Sequence, residues 1–136
     1  MNDSVARAAV DALGTAFLSG DPDAVLRHFA TTGAPVYEGS EPGEVAVGRT
    51  ALRALLEELF SREERYSWRT THVRSNGGRD LVDLVAEADL FVYPCVDGSA
   101  AGPATEQVPY RVTGVLEREP GGWRWRRCRG SEPAER

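Results

Sequence analysis

Hydrophobic positions in the N-terminal half of the chain repeat at the spacing of an α-helix. Residues 5–17 place apolar side chains on one side and leave Arg7 and Asp11 on the other. A short second helix is predicted from Pro22, which follows a capping aspartate. The strongest apolar stripe follows Gly48 and comprises Leu52, Leu55, Leu56, Leu59 and Phe60. These patterns predict three helices.

The period of the apolar positions changes to two from Tyr66 onward, which is typical of β-strands. A brief strand at residues 34–39 precedes this region. The longer predicted strands are residues 66–74, 81–95, 109–118 and 123–129. Residues 97–105, rich in small side chains, glycine and proline, are predicted to form an exposed loop. Helices followed by a meander of long strands predict an α+β fold, with an antiparallel sheet packed on a helical layer.

Length and composition narrow the class of protein. The chain has 136 residues, of which 41% are hydrophobic and 27% charged, so one globular domain spanning residues 1–136 is expected and a wholly disordered chain is excluded. No apolar run approaches the roughly 18 residues that a membrane span needs. The N-terminal segment also lacks the apolar core of a signal peptide. We therefore expect a cytoplasmic protein that does not act at a membrane.

The charge pattern argues against a nucleic-acid partner. The formal net charge is −5, which would repel a polyanion. The segment Trp123-Arg-Trp-Arg-Arg127 resembles a stacking platform for single strands, but strand alternation favours packing roles for both tryptophans. All 16 basic residues are arginine, and the absence of lysine excludes Schiff-base chemistry.

Metal and cofactor chemistry have little support in the sequence. The two cysteines, Cys95 and Cys128, have neither the number of a disulfide framework nor the spacing of a metal site. Only two histidines, His28 and His72, accompany them, and no nucleotide-binding glycine motif is present. We expect no metal and no cofactor.

Several short motifs together resemble a known family. They are Gly39-Ser-Glu-Pro-Gly-Glu44, Gly48-Arg49, Val115-Leu116 before a Gly-Gly turn, Trp123-Arg124, and Ser131-Glu-Pro133. Over residues 5–133 the chain resembles the SnoaL-like, polyketide-cyclase-type branch of the nuclear transport factor 2-like superfamily, with residues 134–136 as a tail. The resemblance implies a cone-shaped, curved antiparallel sheet that encloses a pocket with three N-terminal helices. It also implies a small hydrophobic ligand and a homodimer.

The last predicted strand carries the first candidate binding residues. Relatives in this branch often have two histidines where this chain has Arg127 and Arg129. Strict alternation would place these arginines on one face with Trp125 and Ser131. Arginines are too basic to act as general bases, but they can bind a carboxylate, a phosphate or an enolate oxygen. The alternative is that they pair with acidic neighbours or lie at the solvent-facing mouth of the cone.

Two residues are candidates for acid–base catalysis. Alternation places His72 on one strand face with Trp68 and Thr70, which makes it a candidate general base. Asp89 lies in an apolar strand, where desolvation would raise its pKa if it faced the pocket. It is structural if the pocket lies on the opposite, alanine-bearing face. A structural or surface role for His72 also remains open.

Aromatic residues complete the predicted site. Tyr37 and Tyr110 can donate to a ligand oxygen or serve as core aromatics. The predicted ligand-binding set is Tyr37, Trp68, Tyr110, Trp125, Arg127, Arg129 and Ser131. Glu44 is expected to bond backbone amides and to hold the loop at the pocket rim.

Two functions are consistent with these features. The first is a small-molecule-binding protein whose apolar pocket takes an anionic or carbonyl-bearing ligand. The alternative is a cofactor-independent isomerase, cyclase or dehydratase that abstracts a proton next to a carbonyl.

Overall fold

A computed structural model describes residues 2–133, so the predicted tail at residues 134–136 lies outside the described residues. The helices are α1 (Asn2–Ser19), α2 (Pro22–Leu26) and α3 (Arg49–Leu59). The strands are β1 (Val36–Glu38), β2 (Val45–Val47), β3 (Glu64–Gly77), β4 (Leu81–Val96), β5 (Ser99–Ala100), β6 (Glu106–Glu119) and β7 (Gly122–Ser131). The predicted α+β class and the three helices are confirmed.

Within the described residues, seven strands form one curved sheet in the order β2-β1-β7-β6-β4-β3, with β5 paired to β4. The sheet is mixed rather than wholly antiparallel as expected, because β1 runs parallel to β7. The chain leaving α2 already runs alongside β7: Trp125 donates its backbone N–H to His28, and Ala30 donates to Trp125. This approach carries β1 into the sheet in the same direction as β7.

Helix α1 covers the inner face of the sheet. Its buried residues Val10, Leu13 and Phe17 pack against the strands. The indole Nε1 of Trp68 donates to the Val10 carbonyl at 2.9 Å, and Ser67 Oγ donates to a second α1 carbonyl at 2.8 Å. These bonds fix α1 across β3, so the position of the helix follows from satisfied polar groups as well as from apolar burial.

A bulge in β3 overturns the predicted placement of His72. Thr70 pairs with Ala88 and His72 with Glu87, so Thr71 is an extra residue in the strand. Before the bulge, Trp68 and Thr70 face inward; after it, Val73 takes the buried position and His72 is exposed. The prediction that His72 shares a face with Trp68 is therefore wrong, because one inserted residue reverses the alternation.

A second bulge, in β7, separates the tryptophans from the arginines. Leu116 pairs with Trp125 and Val115 with Arg127, which leaves Arg126 as the extra residue. Trp125 is buried in the core, whereas Arg127 and Arg129 are exposed on the outer face and Ser131 lies on that same face. The predicted common face for these four residues is wrong for the same physical reason.

Two short strands, β2 and β5, were not predicted from the sequence. β2 lies directly after the loop at residues 40–44, and β5 forms within the segment predicted as an exposed loop. Asp97 and Gly98 both have positive φ, 53° and 78°, which is the backbone of a tight hairpin turn between β4 and β5. No helix in the described part of the chain is both long and apolar enough to span a membrane.

Candidate functional site

The inner face of the sheet contains a cavity of about 200 Å³ between the C-terminal ends of α1 and α3 and the loop at residues 40–44. We call it the aromatic pocket. Its aromatic lining is Phe17, Tyr37, Phe60, Tyr66, Trp68 and Tyr110. Its aliphatic lining is Leu59, Leu90, Val92 and Val108. The volume is below the roughly 300–1,000 Å³ of drug-sized sites, so the pocket suits a smaller molecule.

The aromatic rings of the pocket are held in fixed contact with one another. The Phe17 ring lies 4.9 Å from that of Trp68 and meets Phe60 edge-on at 5.8 Å, measured between centroids. Trp68 in turn packs 5.7 Å from Tyr110. These separations are those of favourable aromatic pairs. The rings therefore form a packed, preorganised wall of the cavity.

Two tyrosines give the pocket polar groups. Tyr37 and Tyr110 are each 4% exposed. Burial raises the pKa of Tyr37 well above its ordinary value, and nearby Tyr110, Cys128 and Glu44 raise it further. Burial likewise raises the pKa of Tyr110. Both phenols consequently stay protonated at physiological pH and can donate a hydrogen bond to a ligand oxygen.

Glu44 is the least exposed carboxylate at the pocket. Its side chain is only 13% exposed, and one oxygen accepts the backbone N–H of Glu41 at 3.4 Å. This contact confirms the expected tie to the loop. The other oxygen lies 3.5 Å from the Arg62 guanidinium. Burial outweighs that attraction and raises the pKa of Glu44, so its carboxylate is a stronger base than an exposed one.

The mouth of the pocket is acidic. Besides Glu44, four exposed glutamates line it: Glu41, Glu64, Glu106 and Glu132. One arginine, Arg65, belongs to the lining, but it is 2% exposed and turns its guanidinium away. That guanidinium donates to the Gly98 carbonyl at 3.0 Å and lies 5.2 Å from the centre of the Phe60 ring. Its Nε is sealed from the cavity and has no partner among the described residues.

The structure brings three of the predicted site residues to the pocket: Tyr37, Trp68 and Tyr110. Trp125 is buried in the core beside them and does not line the cavity. The other predicted residues lie on the outer face of the sheet: His72, Asp89, Arg127, Arg129 and Ser131.

Of the two placements considered for Asp89, the structure shows the one in which the pocket lies on the opposite, alanine-bearing face of β4. Ala86 and Ala88 are buried on the inner face, so the side chain of Asp89 faces outward. Glu44, Phe17 and Phe60 are pocket residues that the sequence reasoning did not assign to the ligand. The signal available for Glu44 was the loop motif ending in it, which precedes the α3 start.

Metal binding finds no support in this arrangement. No group of three or more His, Cys, Asp or Glu side chains within residues 2–133 is disposed to hold a metal ion. The glutamates of the mouth are therefore separate charges around an apolar cavity.

Solved structures share this architecture. A ketosteroid isomerase-like protein from Erwinia carotovora atroseptica is 21% identical, with TM-score 0.69, covering 98% of this chain and 97% of that one. A nuclear transport factor 2-like protein from Streptomyces avermitilis, provisionally named a dehydratase, is 18% identical, with TM-score 0.75 and the same coverage. A nuclear transport factor 2-like superfamily protein from Salmonella enterica is 11% identical, with TM-score 0.75, and the match covers 98% of this chain and 92% of that one. At these identities the likeness concerns the fold.

The sequence provides the family. No curated protein shows a significant match. The family model of the SnoaL-like domain, however, matches residues 6–135, nearly the entire chain. This match shows that the chain belongs to the SnoaL-like domain family, and the curved sheet with its three helices agrees with that assignment.

Proposed function

We propose that this protein binds a small, largely apolar organic molecule in the aromatic pocket. The observation that carries the proposal is the cavity itself, walled by six aromatic side chains on the inner face of the sheet. Concave, mostly apolar sites with a few convergent polar groups are typical of small-molecule binding. Tyr37 and Tyr110 are those polar groups.

The size of the cavity limits the ligand. At about 200 Å³ the cavity is smaller than the roughly 300–1,000 Å³ of sites that take drug-sized molecules. A molecule with one ring and a short chain fits that space. The earlier expectation of an anionic ligand rested on Arg127 and Arg129, which face away from the cavity.

Filling the cavity tests the proposal. Leu90→Phe adds volume inside the aromatic pocket, whereas Val85→Phe adds the same ring to the outer face of the same strand. With 2-phenylethanol as the probe, titration should shift the methyl NMR signals of Val92 and Val108 in the wild type and in Val85→Phe. The shifts should be lost in Leu90→Phe. Equal binding by both variants would contradict the proposal.

A second candidate function is supported by Glu44. A desolvated carboxylate with a raised pKa, close to two protonated phenols, has the components of a proton-transfer site. Glu44 would take a proton from the carbon next to a ligand carbonyl. The electron pair would move to the carbonyl oxygen, where Tyr37 or Tyr110 would donate a hydrogen bond. If the ligand is a β,γ-unsaturated ketone, the product is a dienolate, and returning the proton from Glu44 to its γ carbon would complete an isomerisation to the α,β-unsaturated ketone.

Solvent exchange tests this second function without knowledge of the substrate. Cyclohexanone in D₂O should exchange its α-protons faster with the wild type than with buffer, as followed by ¹H NMR. Glu44→Gln should abolish the excess, since an amide cannot accept the proton. His72→Ala, a change on the outer face, should leave it intact. Exchange that survives Glu44→Gln would exclude Glu44 as the base.

A further inference from the structure

The charges around the aromatic pocket are segregated from those of the rest of the chain. The chain as a whole has 21 acidic and 16 basic residues. The pocket lining has five glutamates and one arginine. The arginines of β7, including Arg127 and Arg129, lie on the outer face, so they do not offset the glutamates at the mouth.

The two arginines near the mouth are already engaged. The guanidinium nitrogens of Arg62 lie 3.4 Å, 3.5 Å and 3.4 Å from carboxylate oxygens of Glu41, Glu44 and Glu58, respectively. Arg65 belongs to the lining, but its guanidinium is engaged because it donates to the backbone carbonyls of Leu18, Phe60 and Gly98. Glu64, Glu106 and Glu132 make no ion pair with any described residue. A negative potential therefore remains at the mouth.

The aromatic walls of the pocket, like the acidic mouth, favour a positively charged ligand. Aromatic faces attract cations because their π electrons carry a negative quadrupole, and aromatic cages are a common way to bind ammonium groups. One cation, the guanidinium of Arg65, already lies against a pocket ring, that of Phe60. Tyr37 adds an acceptor, because the oxygen of a phenol can accept a hydrogen bond and this side chain, 4% exposed, lines the cavity.

We infer that the ligand of the aromatic pocket carries a positively charged nitrogen, a protonated amine or quaternary ammonium attached to a small apolar skeleton. The apolar part contacts the rings, and the charged nitrogen lies toward Glu44 and the glutamates of the mouth. An anionic ligand would meet uncompensated repulsion there. This inference rests on the binding proposal and specifies the chemical class of its ligand; it does not require catalysis.

Three probes of the same skeleton isolate the effect of charge. At neutral pH, 2-phenylethylamine is a cation, 2-phenylethanol is neutral and phenylacetate is an anion. Affinities follow from titration of the Val92 and Val108 methyl signals. We expect the amine to bind about tenfold more tightly than the alcohol, and phenylacetate to bind least. Added salt should reduce the advantage of the amine and leave the alcohol unchanged.

Charge-removing variants locate the effect. Glu44→Gln should weaken binding of the amine several-fold and weaken binding of the alcohol much less, so that the ratio of the two affinities falls. Glu106 is exposed at the mouth, and its side chain makes no hydrogen bond or ion pair to the described residues of the loop at 40–44. Glu106→Gln should act in the same direction and replaces Glu44→Gln if that variant disturbs the loop. Glu57→Gln removes the same charge from the exposed side of α3 and should change neither affinity.

The outcomes separate this inference from the binding proposal. If the alcohol binds as tightly as the amine, or phenylacetate binds best, the inference is wrong and the binding proposal stands. If Glu57→Gln weakens the amine as much as Glu44→Gln does, the preference comes from net charge and the inference is again wrong. If none of the three probes shifts the pocket methyl signals at millimolar concentration, the binding proposal fails and the inference falls with it.

Discussion

Gly114 provides a sharp test of the backbone geometry that separates the faces of β7. It lies on β6 opposite Cys128, next to the bulge that turns Trp125 inward and Arg127 outward. A Cβ at this position would overlap the carbonyl oxygen of Arg127 and come within 2.9 Å of its carbonyl carbon. These are backbone atoms, so they can move only if the two strands separate or the bulge is lost.

The size of the effect follows from opposing contributions. Overpacking costs about 1–3 kcal/mol, and overlap with backbone atoms that cannot move aside belongs at the upper end, about 3 kcal/mol. Replacing glycine by alanine returns roughly 0.4–1 kcal/mol, because the unfolded chain has fewer conformations to lose. We therefore expect Gly114→Ala to lower the free energy of unfolding by about 2 kcal/mol. For a chain of 136 residues this corresponds to a fall in Tm of about 7 °C.

Two matched substitutions make the comparison interpretable. At Gly130 a Cβ would overlap the hydroxyl of Tyr110 and lie 2.7 Å from its Cζ, which are atoms at the mobile end of a side chain. Tyr110 can move into the cavity, so Gly130→Ala should cost less than about 1 kcal/mol while weakening 2-phenylethanol binding. At Gly78 nothing lies within 4 Å, and Gly78→Ala should change stability by no more than about 0.5 kcal/mol.

Urea denaturation followed by tryptophan fluorescence measures all three variants under identical conditions. The expected order of destabilisation is Gly114→Ala, then Gly130→Ala, then Gly78→Ala, with similar m-values. If Gly114→Ala loses no more stability than Gly130→Ala, the close approach of β6 and β7 at the bulge does not constrain the fold. The outward orientation of Arg127 would then not depend on this close approach.

Three further predictions concern single side chains. Burial raises the pKa of Glu44, so folding favours its protonated form more than the unfolded chain does. This contribution to stability is present below the unfolded value of 4.5 and is lost as pH rises through the folded pKa. Urea melts should therefore show Glu44→Gln gaining stability relative to the wild type when the pH is raised from about 4 to about 7. Asp11 accepts hydrogen bonds from the backbone N–H and the Oγ1 hydroxyl of Thr70, at 2.8 and 2.7 Å. Asp11→Ala should therefore lower the free energy of unfolding by about 2 kcal/mol in the same assay, and an unchanged urea midpoint would show that these bonds do not hold α1. Cys128 is buried, and burial raises the pKa of its thiol, whereas Cys95 is only half-buried. A chromogenic disulfide reagent should therefore label Cys95 in the native protein and Cys128 only after unfolding, and two reactive thiols in the native protein would contradict the burial of Cys128 in β7.

The helices and long strands could be predicted because each has a local cause in the sequence. The leucine stripe after Gly48 can be buried only as a helix, and it forms α3. The alternation along residues 81–95 likewise corresponds to β4, whose buried and exposed residues alternate as expected. Motifs resembling the SnoaL-like branch carried the prediction further, to a curved sheet with a pocket, and the family match confirms that resemblance.

The parts of the site that could be predicted share one property. Tyr37, Trp68 and Tyr110 are large aromatic residues, and wherever their strands packed they would be drawn to the inner face. The glutamates of the mouth gave no such signal, because a carboxylate in a loop or at a strand end is ordinarily solvated. Only the convergence of four separate segments around one cavity distinguishes them from other surface charges.

Alternation along a strand determines side-chain faces only while the pairing stays regular. The sequence by itself determined that β3 and β7 are strands and which of their residues share a parity. The tertiary structure decided where each strand carries an extra residue. In β3 the bulge lies where Asp11 of α1 binds Thr70, and in β7 it lies where Gly114 lets the backbones approach. Each bulge depends on a partner distant in the chain, which is why local periodicity could not reveal that His72, Arg127 and Arg129 face away from the pocket.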